Sequence, residues 1–147
     1  MNGRYAALTK NSKRPVRVMV FGTFDRLHKG HEYFLREARK RGDFLVVVVA
    51  RDRTVREVKS RAPSEDEDTR RMKVEMAGIA DRVMLGSLGD KYDVIRKEKP
   101  DVICLGYDQH SFTGGLGDTL KSAGISAKIE RIDARKPEKY KTSLMKK

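Results

Sequence analysis

Residues 16–31 read Val16-Arg17-Val18-Met19-Val20-Phe21-Gly22-Thr23-Phe24-Asp25-Arg26-Leu27-His28-Lys29-Gly30-His31. Val16, Val18 and Val20 alternate with Arg17, Met19 and Phe21, the period-two pattern of a strand. From 31 to 41 the period lengthens, and Phe34, Leu35 and Ala38 share one helical stripe that ends near Gly42. A strand therefore passes into a helix through the turn Gly22–His31. That turn has neither the G-x-x-x-x-G-K-[ST] spacing of a P-loop nor the G-x-G-x-x-G dinucleotide spacing. It has Gly22 at the strand end, where a missing side chain lets the backbone approach a ligand. It also has His28 and His31, three positions and so one helical turn apart. Gly30 lies between them, and its lack of bulk would expose amide donors at the helix start to an anion.

Outward from this unit, strand and helix patterns alternate. Phe44–Ala50 (FLVVVVA) is a continuous apolar run of strand length, as a parallel strand covered on both faces requires. A short charged helix is expected over 53–60. Another is expected from Pro63-Ser64, with Ser64 and Glu67 spaced as a capping box. Val83–Gly86 is the third strand, a helix carrying Tyr92 and Ile95 ends at Pro100, and Asp101–Gly106 (DVICLG) is the fourth strand. A helix around 116–123 and a strand near 127–132 close the series. The expected fold class is α/β, a doubly wound parallel five-stranded sheet, in a single domain over 1–147. Ligands of such sheets sit at the carboxyl ends of strands near the switch point, which directs attention to Gly22–His31 and Gly106–His110.

Composition narrows the function. The 147 residues carry 33 Lys and Arg against 21 Asp and Glu, net +12. The charge is concentrated at the ends: residues 1–14 are a basic arm of net +4, and 131–147 are net +5, leaving +3 for the body. Basic ends on a balanced body fit solvated tails, or else nucleic acid or a polyphosphate ligand. Residues 134–141 have too little apolar content to bury themselves, so their ordering is expected to need a triphosphate. No apolar stretch is long enough for a membrane-spanning helix, and the first 14 residues lack the hydrophobic centre of a secretory signal. The lone Cys104 can form neither an internal disulfide nor a cysteine-rich metal site. A reduced, cytoplasmic setting is expected. Only Asn2, Asn11 and Gln109 carry side-chain amides, a scarcity associated with hot-growing sources.

Three roles compete for the histidine pair. They could be polar cap residues, or a metal pair whose only further histidine is His110. They could also be donors that meet charge developing on a phosphate in a transition state. A position at a strand-to-helix turn favours the phosphate role.

Gly22-Thr23-Phe24-Asp25 followed by His28-Lys29-Gly30-His31 resembles the nucleotidyltransferase superfamily marked by the H-x-G-H motif, and the likeness extends over roughly residues 16–147. The resemblance implies transfer of a nucleotidyl group from a nucleoside triphosphate to a phosphate monoester, with Mg²⁺ or another divalent metal assisting and pyrophosphate leaving. It implies that Thr23, Phe24, Lys29 and Gly30 lie along the nucleotide and that His28 and His31 contact its phosphates. Ala50-Arg51-Asp52 and the segment holding Lys59 and Arg61 resemble the family's basic region near the triphosphate. Arg70 and Arg71 match its arginine on the following helix. Catalytic roles thus fall to His28, His31 and Lys59, and phosphate or acceptor contacts to Asp25, Lys59 and Arg70.

Gly106-Tyr107-Asp108-Gln109 resembles the family's G-x-D turn, which would bring Asp108 to the nucleotide. Lys141-Thr142-Ser143 resembles its closing helix start, which would bring Thr142 and Ser143 to the leaving phosphates. The run Ala50–Arg71 and the Gly-Tyr-Asp-Gln turn look most like archaeal FAD synthases, since cytidylyltransferases of this size carry an aromatic residue where Gln109 stands. The partners so implied are ATP and FMN. CTP with a polyol phosphate is the alternative, and a non-catalytic nucleotide- or nucleic-acid-binding module is the second. No membrane partner is expected, nucleic acid is disfavoured, and a homodimer stays open.

Overall fold

A computed structural model of the chain describes residues 15–106, 109 and 115–133. Its elements run β1 (Arg17–Gly22), α1 (Lys29–Arg39), β2 (Phe44–Val49), α2 (Asp52–Lys59), α3 (Glu67–Ala77), β3 (Arg82–Leu85), α4 (Asp93–Glu98), β4 (Val102–Gly106), α5 (Leu116–Ser122) and β5 (Lys128–Ile132). The strands form one parallel sheet in the order β3-β2-β1-β4-β5. The order reverses between β1 and β4, so the turns that follow these two strands flank the switch point.

The apolar runs explain the layering. Successive strand side chains point to opposite faces, so a strand buried on both sides must be apolar at every position. Val18, Val20, Leu45, Val47 and Cys104 face one core with Leu35 and Ala38 of α1 and Val74 of α3. Met19, Val46, Val48, Ile103 and Leu105 face the other with Ile95 of α4 and Leu116 and Leu120 of α5. The sheet is thus covered on both faces, and its functional groups are left to its edges.

Two helix starts differ from the sequence expectation by two residues or more. The first helix begins at Lys29 because His28 itself caps it. The helix expected to open at Ser64 begins at Glu67, capped by Asp66, whose carboxylate accepts from the Thr69 amide at 2.8 Å. The Ser64–Glu67 capping box does not form because tertiary partners take both residues. The Ser64 amide donates to Asp25, and the Glu67 carboxylate reaches Arg51 and the Asp52 amide.

Candidate active site

The turn after β1 is built around a buried aromatic ring. Phe24 adopts a left-handed backbone conformation (φ 53°), as does Arg26 (φ 52°), and for an aromatic residue that conformation is strained. Only 3% of Phe24 is exposed, and its ring lies over Gly22 so closely that a Cβ there would come within 2.7 Å of it. Gly22 therefore makes room for Phe24 rather than for a ligand. Phe24 in turn supports His31 through an edge-to-face ring contact of 5.6 Å.

The two histidines cap α1 reciprocally. The Gly30 amide donates to Nδ1 of His28 at 3.0 Å, and the His28 amide donates to Nδ1 of His31 at 3.2 Å. The rings stack with centroids 3.8 Å apart. A Cβ on Gly30 would meet the His28 ring at 2.9 Å, so this glycine admits the imidazole and gives it an amide donor. A neutral imidazole that accepts at Nδ1 carries its proton at Nε2. The local fold thus makes each ring an N–H donor at the N-terminal, electropositive end of an eleven-residue helix. Capping and phosphate contact, competing roles in the sequence, are compatible because they use different nitrogens.

The segment between α2 and α3 is fastened to this turn. The Asp25 carboxylate accepts from the amides of Ser64 (2.8 Å) and Glu65 (3.0 Å), and the Glu65 carboxylate accepts from the Arg26 amide (3.0 Å). Lys73 also reaches Glu65. Burial opposes charge on Asp25, but the two amides, with Arg70 and Arg26 nearby, hold its carboxyl below the ordinary value. A cavity of about 100 Å³ opens here, lined by Thr23, Asp25, Val55, Lys59, Arg61 and Ser64, among others. Lys59 and Arg61 are exposed at it, bringing two cations to a small cleft beside the first turn.

Arg70 departs from expectation. It is fully buried, and its guanidinium donates to the carbonyls of Glu65 (2.9 Å), Thr23 (2.8 Å) and Ala50 (2.8 Å) and to Asp52 (2.7 Å). These bonds hold the ends of β1 and β2 together and turn the guanidinium away from solvent, so direct phosphate contact gives way to a bracing role. Arg71 pairs with Glu75 on its own helix (3.0 Å). Arg51 donates to the Gly86 carbonyl (2.7 Å) and pairs with Glu67 (3.1 Å), continuing the brace toward β3.

Asp108, Thr142 and Ser143, along with the arm 1–14 and the tail 134–147, lie outside the described residues. Gln109 is described, and its amide binds backbone: Oε1 accepts from the Gly106 amide (2.8 Å) and Nε2 donates to the Phe21 carbonyl (2.9 Å). Cys104 is buried, and burial pushes its thiol up to about 12, so it is inert core. Among the described residues no group of three or more His, Cys, Asp or Glu could hold a metal ion. The carboxylates of Asp25, Asp52 and Glu67 face amides and arginines instead. These residues do not form a cage for the divalent ion that the resemblance implies. Among the described residues, no helix is long and apolar enough to cross a membrane.

A five-stranded parallel sheet with a reciprocal histidine cap at the end of its first strand defines an α/β nucleotidyltransferase-like protein. Residues 19–147 match the family model described as cytidylyltransferase-like, and the chain belongs to that family. It is similar to the FAD synthase of Aciduliprofundum boonei, 48% identical over 117 residues that cover 80% of this chain and 78% of that one. The FAD synthase of Thermococcus onnurineus is 37% identical over 138 residues, 92% of each chain. A crystal structure of the lipopolysaccharide core biosynthesis protein from Thermoplasma volcanium shares the fold with TM-score 0.78 and 41% identity, over 84% of this chain and 100% of that one. Pantoate-β-alanine ligase from Francisella tularensis, at 15% identity and TM-score 0.58 over 91% of this chain and 66% of that one, shares the fold alone.

Proposed function

We propose that this protein transfers AMP from ATP to the phosphate of FMN, giving FAD and pyrophosphate. A phosphate oxygen of FMN bonds to the α-phosphorus of ATP, and the bond from that phosphorus to the bridging oxygen of pyrophosphate breaks. A monoester dianion is already nucleophilic, so the site needs no general base; its task is positioning and charge neutralisation. The observation that carries this reading is the histidine pair, whose Nδ1 atoms accept the cap bonds so that each neutral ring has its proton at Nε2, in a chain similar to several FAD synthases. His28 and His31 then donate to α- and β-phosphate oxygens as charge develops. Lys59, beside Arg61 at the cleft, attracts the acceptor phosphate, and Asp25 keeps the cleft's rim in place.

Thr23, Phe24, Lys29, Gly30 and Asp108 are assigned to the nucleotide, with Phe24 acting through its support of His31. Thr142 and Ser143, on the basic tail, are assigned to the departing pyrophosphate. Mg²⁺ or another divalent ion enters as part of the nucleotide substrate, held by phosphate oxygens and water as hard cations commonly are. The setting is cytoplasmic, where ATP and FMN are found.

The test is pyrophosphate release with ATP and FMN against CTP and glycerol 3-phosphate, with the flavin product identified by chromatography. Release that requires ATP and FMN together, with FAD as product, is expected. Release only with CTP and the polyol phosphate would replace this reading with the cytidylyltransferase one, and binding without release would leave a non-catalytic module.

A further inference from the structure

Strands β1 and β2 stay paired to their ends, Gly22 against Val49, and β4 and β5 do the same, Gly106 against Ile132. The register of β1 with β4 stops earlier, at Val20 and Cys104. The two central strands thus part before their carboxyl ends, where the strand order reverses and a ligand cleft is expected. Backbone groups at such a parting still need hydrogen-bond partners.

Gln109 bridges the gap. Its Oε1 accepts from the Gly106 amide of β4 and its Nε2 donates to the Phe21 carbonyl of β1, 88 positions away in sequence. A primary amide carries one carbonyl and an N–H on one planar unit, so it can stand in for the peptide rung that the diverging strands lack. A carboxylate has no donor, and an ammonium no acceptor, so neither could do both. The Gln109 amide also donates to the Gly106 carbonyl (3.1 Å). Arg131 on β5 clamps both residues by donating to the carbonyls of Gly106 (2.6 Å) and Gln109 (3.2 Å). Phe21 is the residue before the Gly22–His31 turn, so the latch joins the histidine-bearing turn to β4.

We infer that Gln109 is a positioning residue whose amide sets the width of the nucleotide cleft at the switch point, with Arg131 holding it in place. The inference rests on reading this edge as the nucleotide site. It separates Gln109 from base recognition, since the bonds its amide makes are to backbone.

The test uses Gln109→Met, which keeps length and volume while removing both side-chain bonds, and Arg131→Met, an exposed change that leaves the fold unburdened. Both are assayed against wild type with whichever substrate pair the wild type turns over, and ATP and CTP binding is measured by calorimetry without an acceptor. Two lost hydrogen bonds predict a nucleotide KM about tenfold higher for Gln109→Met, with the acceptor KM within about twofold. Arg131→Met should shift the nucleotide KM in the same direction by about threefold. Hydrogen exchange of the Gly106 amide should quicken in Gln109→Met.

A merely structural role would lower the folded fraction, and with it apparent kcat, while leaving both KM values alone. Unchanged nucleotide KM and affinity in both variants, or equal rises in both KM values, would overturn the inference. If Gln109→Met fails to fold, Arg131→Met decides alone. A wild type that binds ATP or CTP but makes no FAD sinks the functional reading and leaves the latch to be judged by nucleotide affinity. A wild type that binds neither overturns both.

Discussion

The two edges of the sheet are built on opposite plans. At the amino edge, three aspartates repeat one device. The amide of Asp43 donates to the Val16 carbonyl while its carboxylate accepts from the Val16 amide; Asp81 does the same with Leu45, and Asp101 with Arg17. Glu98 joins Arg17 to Arg82, and both guanidiniums lie over the Phe44 ring, 5.3 and 5.7 Å from its centroid. Charged groups there face other charged groups or backbone, and the edge is closed. The carboxyl edge has two left-handed residues in one turn, strands that part, and imidazoles whose Nδ1 atoms are engaged so that Nε2–H is presented. Stability is distributed at one edge, while the other concentrates it in a few buried braces.

On that contrast, the largest single effect comes from the brace under the active turn. Arg70→Met would leave the Thr23 and Ala50 carbonyls and the Asp52 carboxylate without their cation. Removing one member of a buried charged pair costs about 3–5 kcal/mol, so a fall in Tm of about 10 °C is expected in thermal denaturation. Arg70→Lys should recover little of it, because an ammonium cannot reproduce the planar fork. A variant that melts within a few degrees of wild type would show that the carboxyl edge does not depend on this brace.

Next comes the chemistry. His28→Ala should lower turnover by about 10²–10³ in pyrophosphate release. It also removes an N-cap worth about 1 kcal/mol, whereas His28→Asn keeps a capping oxygen and loses only the Nε2 donor. Equal turnover losses with a smaller melting shift for the asparagine variant would assign the rate to Nε2 and the stability to Nδ1. Near-native turnover in either variant sinks the catalytic assignment.

The closed edge predicts the converse. Asp81→Ala leaves the buried Leu45 amide without its acceptor, which costs about 1–3 kcal/mol. Because Asp81 lies at the far end of the sheet, kcat and KM should stay within about twofold of wild type below the melting range. A loss of turnover comparable to that of His28→Ala would break the division between the edges.

What could be read in advance follows the same division. The central strands were legible because continuous runs such as Phe44–Val49 are what two-sided burial demands, and Gly22–His31 was legible because its residue types and spacing are local. Groups that act across the fold were not. Arg70 resembles any exposed helix arginine until β1 and β2 place two carbonyls over it, and Phe24 looks like a loop aromatic until Gly22 makes room beneath its ring. Gln109 could be singled out by its rarity, but its partner Phe21 lies 88 positions away. The Ser64–Glu67 cap failed for the same reason: Asp25 and Arg51, far along the chain, offered better partners than the helix itself.

The smallest effect concerns Asp25, which fastens the 60–66 segment to the histidine turn. Its carboxyl is held below the ordinary aspartate value, so the folded state favours the charged form. The sign follows: the stabilisation is complete above the unfolded pKa of about 3.9 and is lost as pH falls through the lower folded value. Asp25→Asn keeps one acceptor but turns an amide donor toward Ser64 or Glu65, which costs about 1 kcal/mol, or roughly 3 °C in Tm. The gap in Tm between wild type and variant should therefore be constant from pH 8 to about pH 5 and should close below about pH 4. Wild type alone cannot show this, because Glu37, Glu65, Asp66, Asp90 and Glu130 are lowered too and destabilise the protein together in acid. The difference isolates Asp25. Because Asp25 and Lys59 line the same cleft, the variant should also raise the acceptor KM by a few-fold while leaving the nucleotide KM unchanged, the reverse of the split expected at Gln109. A Tm gap independent of pH would mean that the Asp25 charge does no fastening. A raised nucleotide KM would mean that the two turns do not serve separate substrates.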